Sequence, residues 1–393
     1  MVTLDGLAFL STPEGERLLA DIATANPTPA TTIAVATRLR RTWPADHVSA
    51  ALEQHEFRTL AQAKFPTAEH LWFTRPGLEQ ATAQVIAQWR ARRFHGATVI
   101  ADLCCGIGGD LLALAANNPD AELIAVDRDP LHLELARRNL LASSPHQTAT
   151  FVEDDVQDAC LPADASIFID PARRTGQGRL AIGDSEPPLE WCLALVDGYP
   201  AVGIKFAPGI DHERIPAGWE LETIALGPDL KEAVLWSPAL ATTPRSATVI
   251  AGETVHTLTA NPGQPPSIRE PQPGDTLHDP NPAVTRAGLV ADLARNLDAA
   301  MIDDQIGFLV TDQPMSSPFT RSYPVLVALP WHEKALKRAV RELDGGPVDI
   351  RRRGLPGDVD AIARRLRGPG HRPLFIAMTR VHNEPWAIVC ARI

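Results

Sequence analysis

Three acids stand at or just past the ends of three short apolar runs. Asp102 closes Ala97-Thr-Val-Ile-Ala, Asp127 closes Leu123-Ile-Ala-Val, and Asp155 follows Ala149-Thr-Phe-Val152 by three residues. A carboxylate at the end of the second strand of a doubly wound sheet is placed to accept hydrogen bonds from a ribose diol. One at the end of the third lies where a purine amino group would sit. Between the first two acids runs Cys104-Cys105-Gly106-Ile107-Gly108-Gly109. Its glycines let the backbone approach a ligand closely, and the helix start after them offers free N–H groups. The loop alone says little, since any tight strand–helix turn uses glycine. With the acids it describes a nucleoside pocket; surface acids at strand ends are the plain alternative.

A fourth apolar run ends in chemistry of another kind: Ile167-Phe-Ile-Asp170-Pro171-Ala172-Arg173-Arg174. A carboxylate and a rigid proline at such a strand end can orient a nucleophilic nitrogen or accept its proton. The arginines can grip phosphate or carboxylate. A strand end running into a solvated basic turn is the bland reading. Cys104-Cys105 does not predict a metal site, because about four ligands are needed and Cys160, Cys192 and Cys390 are isolated.

The elements that position these residues alternate. Helical patterns over Leu111 to Ala116 and Leu131 to Leu140 separate the runs, and Ala201-Val-Gly-Ile-Lys205 adds a further strand. This predicts an α/β fold with a mostly parallel, doubly wound sheet covered on both faces. Glu220 to Leu226 and Glu232 to Trp236 read as late, paired strands. Before the core, Thr12-Pro13-Glu14 is a helix start, Leu18, Leu19 and Ile22 share a face, and Val48 to Ala63 continues the helical pattern. After it, nine prolines between Pro238 and Pro282 predict an irregular connection, then a helix over Ala283 to Ala299. The last block reads as a strand running into a basic turn (Val348 to Gly354, with Arg351 to Arg353), a helix (Asp358 to Leu366) and two strands (Leu374 to Arg380, Trp386 to Cys390). The expected partition is a helical N-terminal subdomain over 1–66, a core over 67–260, a connection with a helix over 261–330, and a small basic α+β domain over 331–393.

Length and composition bound the answer. At roughly 100–200 residues per domain, 393 residues hold two to four domains, and 22% charged with 45% apolar residues excludes wholesale disorder. No apolar run approaches the roughly 20 residues that span a bilayer, and the start lacks a basic signal head. An odd number of scattered cysteines, five, argues against a disulfide framework and for a reducing, cytoplasmic setting. As a whole-chain average the net charge of −11 argues against a nucleic-acid partner, but it is unevenly spread. Residues 331–393 carry +6 and residues 1–330 carry −17.

Asp102-x-x-Cys105-Gly106-x-Gly108-Gly109, Val126-Asp127-Arg128-Asp129-Pro130 and Asp155 together resemble the class I S-adenosylmethionine-dependent methyltransferase core. The resemblance implies that Asp102 and the loop, with Cys104, Gly106 and Gly108, hold the methionine end of that cofactor. Asp127 and Arg128 would lie at the ribose and Asp155 at the adenine. A nicotinamide dehydrogenase would need Gly-x-Gly-x-x-Gly, and Leu111 stands where the third glycine belongs. Asp170-Pro171-Ala172-Arg173 is similar to the Asp-Pro-Pro-aromatic signature of amino-methylating nucleic-acid enzymes. It departs at Ala172, and at Arg173 where an aromatic would stack on a flipped base. Asp170, Pro171 and Arg173 are thereby the implied catalytic residues, Asp170 also touching the cofactor. Phe73-Thr74-Arg75-Pro76-Gly77-Leu78-Glu79-Gln80-Ala81-Thr82 resembles the segment that closes over the cofactor in trimethylguanosine-synthase-like enzymes, which adds Phe73 and Thr74; it also reads simply as a helix start. The arginine-rich tail resembles the THUMP-like domain of certain bacterial class I methyltransferases.

The combined resemblance implies an RNA methyltransferase acting at a base nitrogen, with tRNA among its substrates and no metal or membrane involved. The tail would dock RNA. Arginine enrichment alone is weak support, because the chain has 32 Arg and 5 Lys throughout. Methylation of a small molecule or protein, and a catalytically silent cofactor- or RNA-binding module, remain alternatives.

Overall fold

The computed structural model describes residues 2–172, 174, 175, 178, 179 and 185–392. They form two compact units, Met1–Trp219 with Leu235–Ala241, and Glu220–Val234 with Thr242–Ile393.

The first unit opens with helices α1 (Leu4–Leu10), α2 (Pro13–Ala25), α3 (Thr32–Leu39) and α4 (Ala45–Ala61). Thr12 caps α2 by accepting from Gly15 N at 3.2 Å, with Pro13 in the first turn where a missing N–H costs nothing. Leu10, Leu18, Ile22, Leu39, Val48 and Ala51 make their common core. A second cluster joins this lead to the glycine loop and its neighbours: Leu7, Phe57 and Phe65 pack with Phe73, Leu78, Ile107 and Leu135. The helical lead therefore shares one compact unit with the α/β core.

Helices α5 (Arg75–Gln80) and α6 (Gln84–Ala91) lead into the sheet. Its strands are β1 (Val99–Leu103), β2 (Glu122–Asp127), β3 (Ala149–Glu153), β4 (Ser166–Ile169) and β5 (Ala201–Phe206). Their order is β5-β4-β1-β2-β3, all parallel. Helices α7 (Gly109–Asn117) and α8 (Pro130–Ser143) are the crossovers after β1 and β2, and α9 (Leu189–Ala194) lies between β4 and β5. Chain direction across the sheet reverses between β1 and β4, which opens a crevice at the carboxyl ends of the strands. Four of the runs named in the sequence are the buried strands β1, β2, β4 and β5, whereas Ala149–Val152 lies in the edge strand β3 and is only partly buried.

In the second unit β6 (Glu220–Leu226) precedes β7 (Asp229–Trp236), whose last two residues belong to the first unit. The stretch expected as an irregular connection carries three strands, β8 (Arg245–Ala251), β9 (Thr254–Thr259) and β10 (Thr276–Pro280). Its prolines sit at the margins: Pro244 just before β8, Pro262 to Pro273 between β9 and β10, and Pro280 as the last residue of β10. None interrupts a ladder, so local proline density misled the sequence reading. The expected helix over 283–299 is two, α10 (Pro282–Ala287) and α11 (Val290–Leu297), because Gly288 turns left-handed at φ +72° and ends the first.

Strands β11 (Ala300–Met301), β12 (Leu309–Thr311), β13 (Thr320–Pro330), β14 (Gly345–Arg352), β15 (Arg372–Val381) and β16 (Glu384–Ala391) join β10 in a second sheet, ordered β11-β12-β10-β13-β16-β15-β14. Helices α12 (Glu333–Glu342) and α13 (Val359–Leu366) cover one face through Leu336, Val340, Ile362 and Leu366. The basic tail is thus built on β13, which pairs antiparallel with β16.

His278 on β10 is fully buried, its Nδ1 2.8 Å from Ser322 Oγ and its Nε2 2.9 Å from Thr311 Oγ1. Burial pushes its pKa down to about 4. Unfolded, the imidazole takes up a proton near its ordinary pKa of about 6.5. The stability it contributes is therefore full above that value and is lost as pH falls towards 4. Urea midpoints should accordingly drop less between pH 7.5 and 5 in His278→Gln than in the wild type. Parallel curves for the two proteins would contradict the assignment.

Candidate active site

The glycine loop follows β1 directly. Cys104, Gly106 and Gly108 have φ of +58°, +54° and +85°. A side chain at Gly108 would put its Cβ 3.0 Å from Ala136 Cα, whereas one at Gly106 would project into open space. Gly108 thus lets the loop pack on α8, and Gly106 leaves room above the backbone. The loop is tied to β2 by Asp127, whose Oδ2 accepts from Gly106 N at 2.7 Å and whose Oδ1 accepts from Asp129 N at 2.9 Å. Each oxygen retains a lone pair for a ligand.

A cavity of about 490 Å³ opens at this strand edge. Of the residues singled out in the sequence, Cys104, Gly106, Asp127, Arg128, Asp155, Asp170 and Pro171 line it. Four do not. Gly108 packs beneath the loop, and Asp102 is 1% exposed below it. Phe73 is buried, with its ring 5.7 Å from that of Phe65. Thr74 caps α5, accepting from Gly77 N at 3.1 Å, and its Oγ1 lies 3.3 Å from His132 Nε2. Arg173 lies outside the described residues.

The sequence reading missed part of the wall. Gly77 and Glu79 to Thr82, which lie inside the segment quoted from the sequence but were not singled out in it, line the cavity, and Asp110, Asp129, His132, Asp154, Gln157 and Glu186 add to its wall. His132 sits in the first turn of α8 and looks like any surface polar residue in sequence. The segment over Trp72 to Thr82 is held from three sides. Asn139 of α8, 1% exposed, accepts from Trp72 N at 2.7 Å and donates to Trp72 O at 3.0 Å and to Ile107 O at 2.9 Å. Gln54 of α4 makes both backbone bonds of Phe73, and Lys64 Nζ donates to the carbonyls of Leu78, Glu79 and Ala81. The helical lead therefore fixes one wall of the cavity to the glycine loop.

The electrostatics are one-sided. Among the described residues eight Asp and Glu side chains line the cavity against a single arginine, Arg128, which pairs with Glu186 at 3.2 Å. Behind the wall Arg90 pairs with Asp110, and Lys205 of β5 with Asp170. Asp102 is the uncompensated group. Neither of its oxygens makes a hydrogen bond among the described residues. Burial pushes its carboxyl well above the usual range, with Asp110 and Asp170 adding to the rise and Arg90 opposing it. Burial likewise drives the Cys104 thiol up, with Asp127 and Asp170 reinforcing, so it is no ready nucleophile. Such a site suits a ligand that carries net positive charge and presents hydroxyl and amino donors. Among the described residues, no group of three His, Cys, Asp or Glu is placed to hold a metal ion, and no helix is long and apolar enough to cross a membrane.

Comparison with known proteins meets this geometry. A family model described as a methyltransferase domain matches residues 100–169, and one described as THUMP domain-like matches residues 320–392. A domain of unknown function matches residues 3–61. An uncharacterised S-adenosylmethionine-dependent methyltransferase of Mycobacterium tuberculosis, found in two strains, is 35% identical over 316 residues, covering 79% of this chain and 84% of that protein. The crystal structure of a provisionally assigned methyltransferase from Porphyromonas gingivalis W83 is 20% identical. It superposes with a TM-score of 0.73 over 96% of this chain and 98% of that one, which shows a common fold. With its strand order, its glycine loop and a relative of this identity and coverage, the chain belongs to the S-adenosylmethionine-dependent methyltransferases and carries a THUMP domain-like module at its C-terminal end.

Proposed function

We propose that this methyltransferase acts on RNA, at a base nitrogen. When bound, S-adenosylmethionine supplies a methyl group made electrophilic by a positively charged sulfur. The residues present fit it. The cavity lies within the roughly 300–1,000 Å³ of small-molecule sites, Gly106 leaves open space above the loop, and Asp102 has two oxygens without partners. Asp127 would take the ribose hydroxyls and Asp155 the adenine amino group. The Gly106 to Gly109 backbone and Asp102 would serve the methionine end. The surplus of carboxylates matches a cofactor whose net charge is +1.

Asp170 and Pro171 face the same cavity from the end of β4. Asp170 orients the acceptor by taking a hydrogen bond from its N–H. The bound cofactor would supply the methyl carbon and keep the departing electron pair on its sulfur, and Asp170 would hold the acceptor N–H while the nitrogen's lone pair takes the methyl group and one proton is lost to water.

The observation that carries RNA as substrate is the THUMP domain-like module itself, with the charge it displays. Lys334 and Arg341 on α12, Arg364 on α13 and Arg367 just beyond it are exposed, and among the described residues they make no ion pair. The Arg351-Arg352-Arg353 run, by contrast, is engaged internally. Asp279 Oδ2 lies 3.0 Å from Arg351 and Asp279 Oδ1 2.8 Å from Arg353, while Arg352 donates to Gly357 O at 2.5 Å. Docking therefore falls to the helices and not to the basic turn. Removing residues 331–393 is a poor test, since it strips β13 of its partner β16. Reversing Lys334, Arg341, Arg364 and Arg367 to Glu leaves the sheet intact. RNA affinity, read by fluorescence anisotropy, should fall, and its salt slope should flatten by about one for each phosphate no longer neutralised. An unchanged slope would remove the module from RNA docking.

The acidic cavity gives a second reading some support: an acceptor that is itself cationic, such as a protein amine, would be drawn to it.

A further inference from the structure

Strand β5 reads Ala201-Val-Gly-Ile-Lys-Phe206 and is buried at every position. A lysine inside such a run must be compensated, because an isolated buried ammonium costs several kcal/mol. Asp170 compensates it: Lys205 Nζ donates to Asp170 Oδ2. The pairing follows from register. β4 and β5 run parallel from Ser166↔Ala201 to Ile169↔Ile204, so Asp170 and Lys205 are the next pair along. Lys205 is 4% exposed and Asp170 27% on its side chain. Asp170 lines the cavity and Lys205 does not. The ammonium can therefore influence the acceptor only through the carboxylate.

The rest of Asp170 is equally constrained. Its N–H donates to Leu103 O at 3.2 Å, which fixes its backbone to β1, and Pro171 locks the next φ. Oδ2 is held by Lys205, and Oδ1 makes no hydrogen bond among the described residues. One oxygen is anchored and the other is left for substrate.

We propose that Lys205 is a positioning residue for methyl transfer, holding Asp170 through Oδ2 so that Oδ1 presents a fixed, charged acceptor to the N–H of the substrate. This rests on the reading of the site as a nitrogen methyltransferase. An ammonium buried behind the carboxylate does two things at once. It keeps the carboxylate from turning towards other donors, and it offsets the repulsion between Asp170 and the buried Asp102. The residue type matters as well as its charge. A single-point ammonium on a flexible stem fits beside one carboxylate oxygen, whereas a planar guanidinium would compete for both.

The test is a double-mutant cycle on the full chain. Lys205→Met removes the buried charge while preserving bulk, and leaves a carboxylate that still reaches solvent, so the fold should survive. Methyl transfer from labelled cofactor into RNA should lose on the order of 100-fold in kcat, the scale of a misplaced reacting group. Cofactor affinity by calorimetry should stay within about threefold, as for an interaction made only in the transition state. Lys205→Arg should recover part of the loss. The Asp170→Asn, Lys205→Met double variant should be no slower than Asp170→Asn alone, because both act through one carboxylate. Multiplying losses, or full activity in Lys205→Met, would overturn the proposal. A further readout is independent of the acceptor. The ammonium of Lys205 should give a slowly exchanging ¹⁵Nζ resonance in the cofactor-free protein that disappears in Asp170→Ala, which leaves no acceptor oxygen; its absence from the wild type would refute the pairing. If the resonance behaves as expected and no fraction is methylated, the nitrogen-methyltransferase reading fails while the pairing stands.

Discussion

Asp170→Asn is expected to slow methyl transfer by about 10²–10⁴-fold, the range in which positioned acid–base and hydrogen-bonding groups contribute, with cofactor affinity little changed. Asparagine keeps the side-chain shape and an oxygen for Lys205, but what then faces the acceptor is an uncharged amide. A charged acceptor makes the stronger hydrogen bond to a substrate N–H, and that N–H becomes more acidic as the nitrogen gives up its lone pair. The interaction therefore strengthens towards the transition state, which is the condition for affecting kcat. Initial rates with labelled cofactor, beside calorimetric titration of the same samples, decide the matter. Equal rates for wild type and variant would remove Asp170 from the chemistry. A loss of affinity as large as the loss of rate would make it a cofactor ligand instead.

The second large effect is expected at Asp127. Its two oxygens already accept from Gly106 N and Asp129 N and retain lone pairs that face the cavity. Hydrogen bonds to a charged group contribute about 1.5–3 kcal/mol each. Losing two to the ribose should therefore weaken cofactor binding by about 100-fold or more, at 1.4 kcal/mol per factor of ten. Asp127→Ala also unties the glycine loop from β2, which adds to the loss. Asp127→Asn keeps one acceptor oxygen and should lose less. Calorimetry on the two variants checks this order. If Asp127→Ala binds the cofactor as the wild type does, the ribose lies elsewhere.

Much of this site was legible because the chemistry stands at strand ends. Buried parallel strands announce themselves as β-branched runs, and the residue that closes each run lies at the sheet edge where ligands bind. That logic placed Asp127, Asp155 and Asp170 on the cavity from sequence alone. It placed Asp102 at the same edge, but its side chain is buried beneath the loop and away from the open wall. What stayed hidden depends on contacts between distant segments. Lys205 reads as the end of an apolar run, and only the β4–β5 register shows that it meets Asp170. His132 and Gln157 become wall residues only through the folds of α8 and of the turn after β3.

The second unit was harder for a different reason. Its strands β8 to β10 lie among prolines that occupy strand margins, so composition suggested irregularity where a ladder forms. Strand β13 alternates weakly and carries Pro324 inside it, yet it pairs with β10 on one side and β16 on the other. The whole-chain charge of −11 was misleading in the same way. It averages an acidic first unit with a tail whose helices display exposed cations. Within that tail the Arg351 to Arg353 run looks like free charge in sequence, because the buried Asp279 that holds two of its arginines lies some seventy residues earlier.

The most direct test of the central claim is the fate of the methyl group. The purified protein is incubated with tritiated S-adenosylmethionine and a lysate separated into RNA, protein and small-molecule fractions. Label is expected in RNA, on a base nitrogen after nuclease digestion, and should be lost with Asp170→Asn. Label confined to protein or small molecules would contradict the claim, as would label in RNA that Asp170→Asn does not diminish.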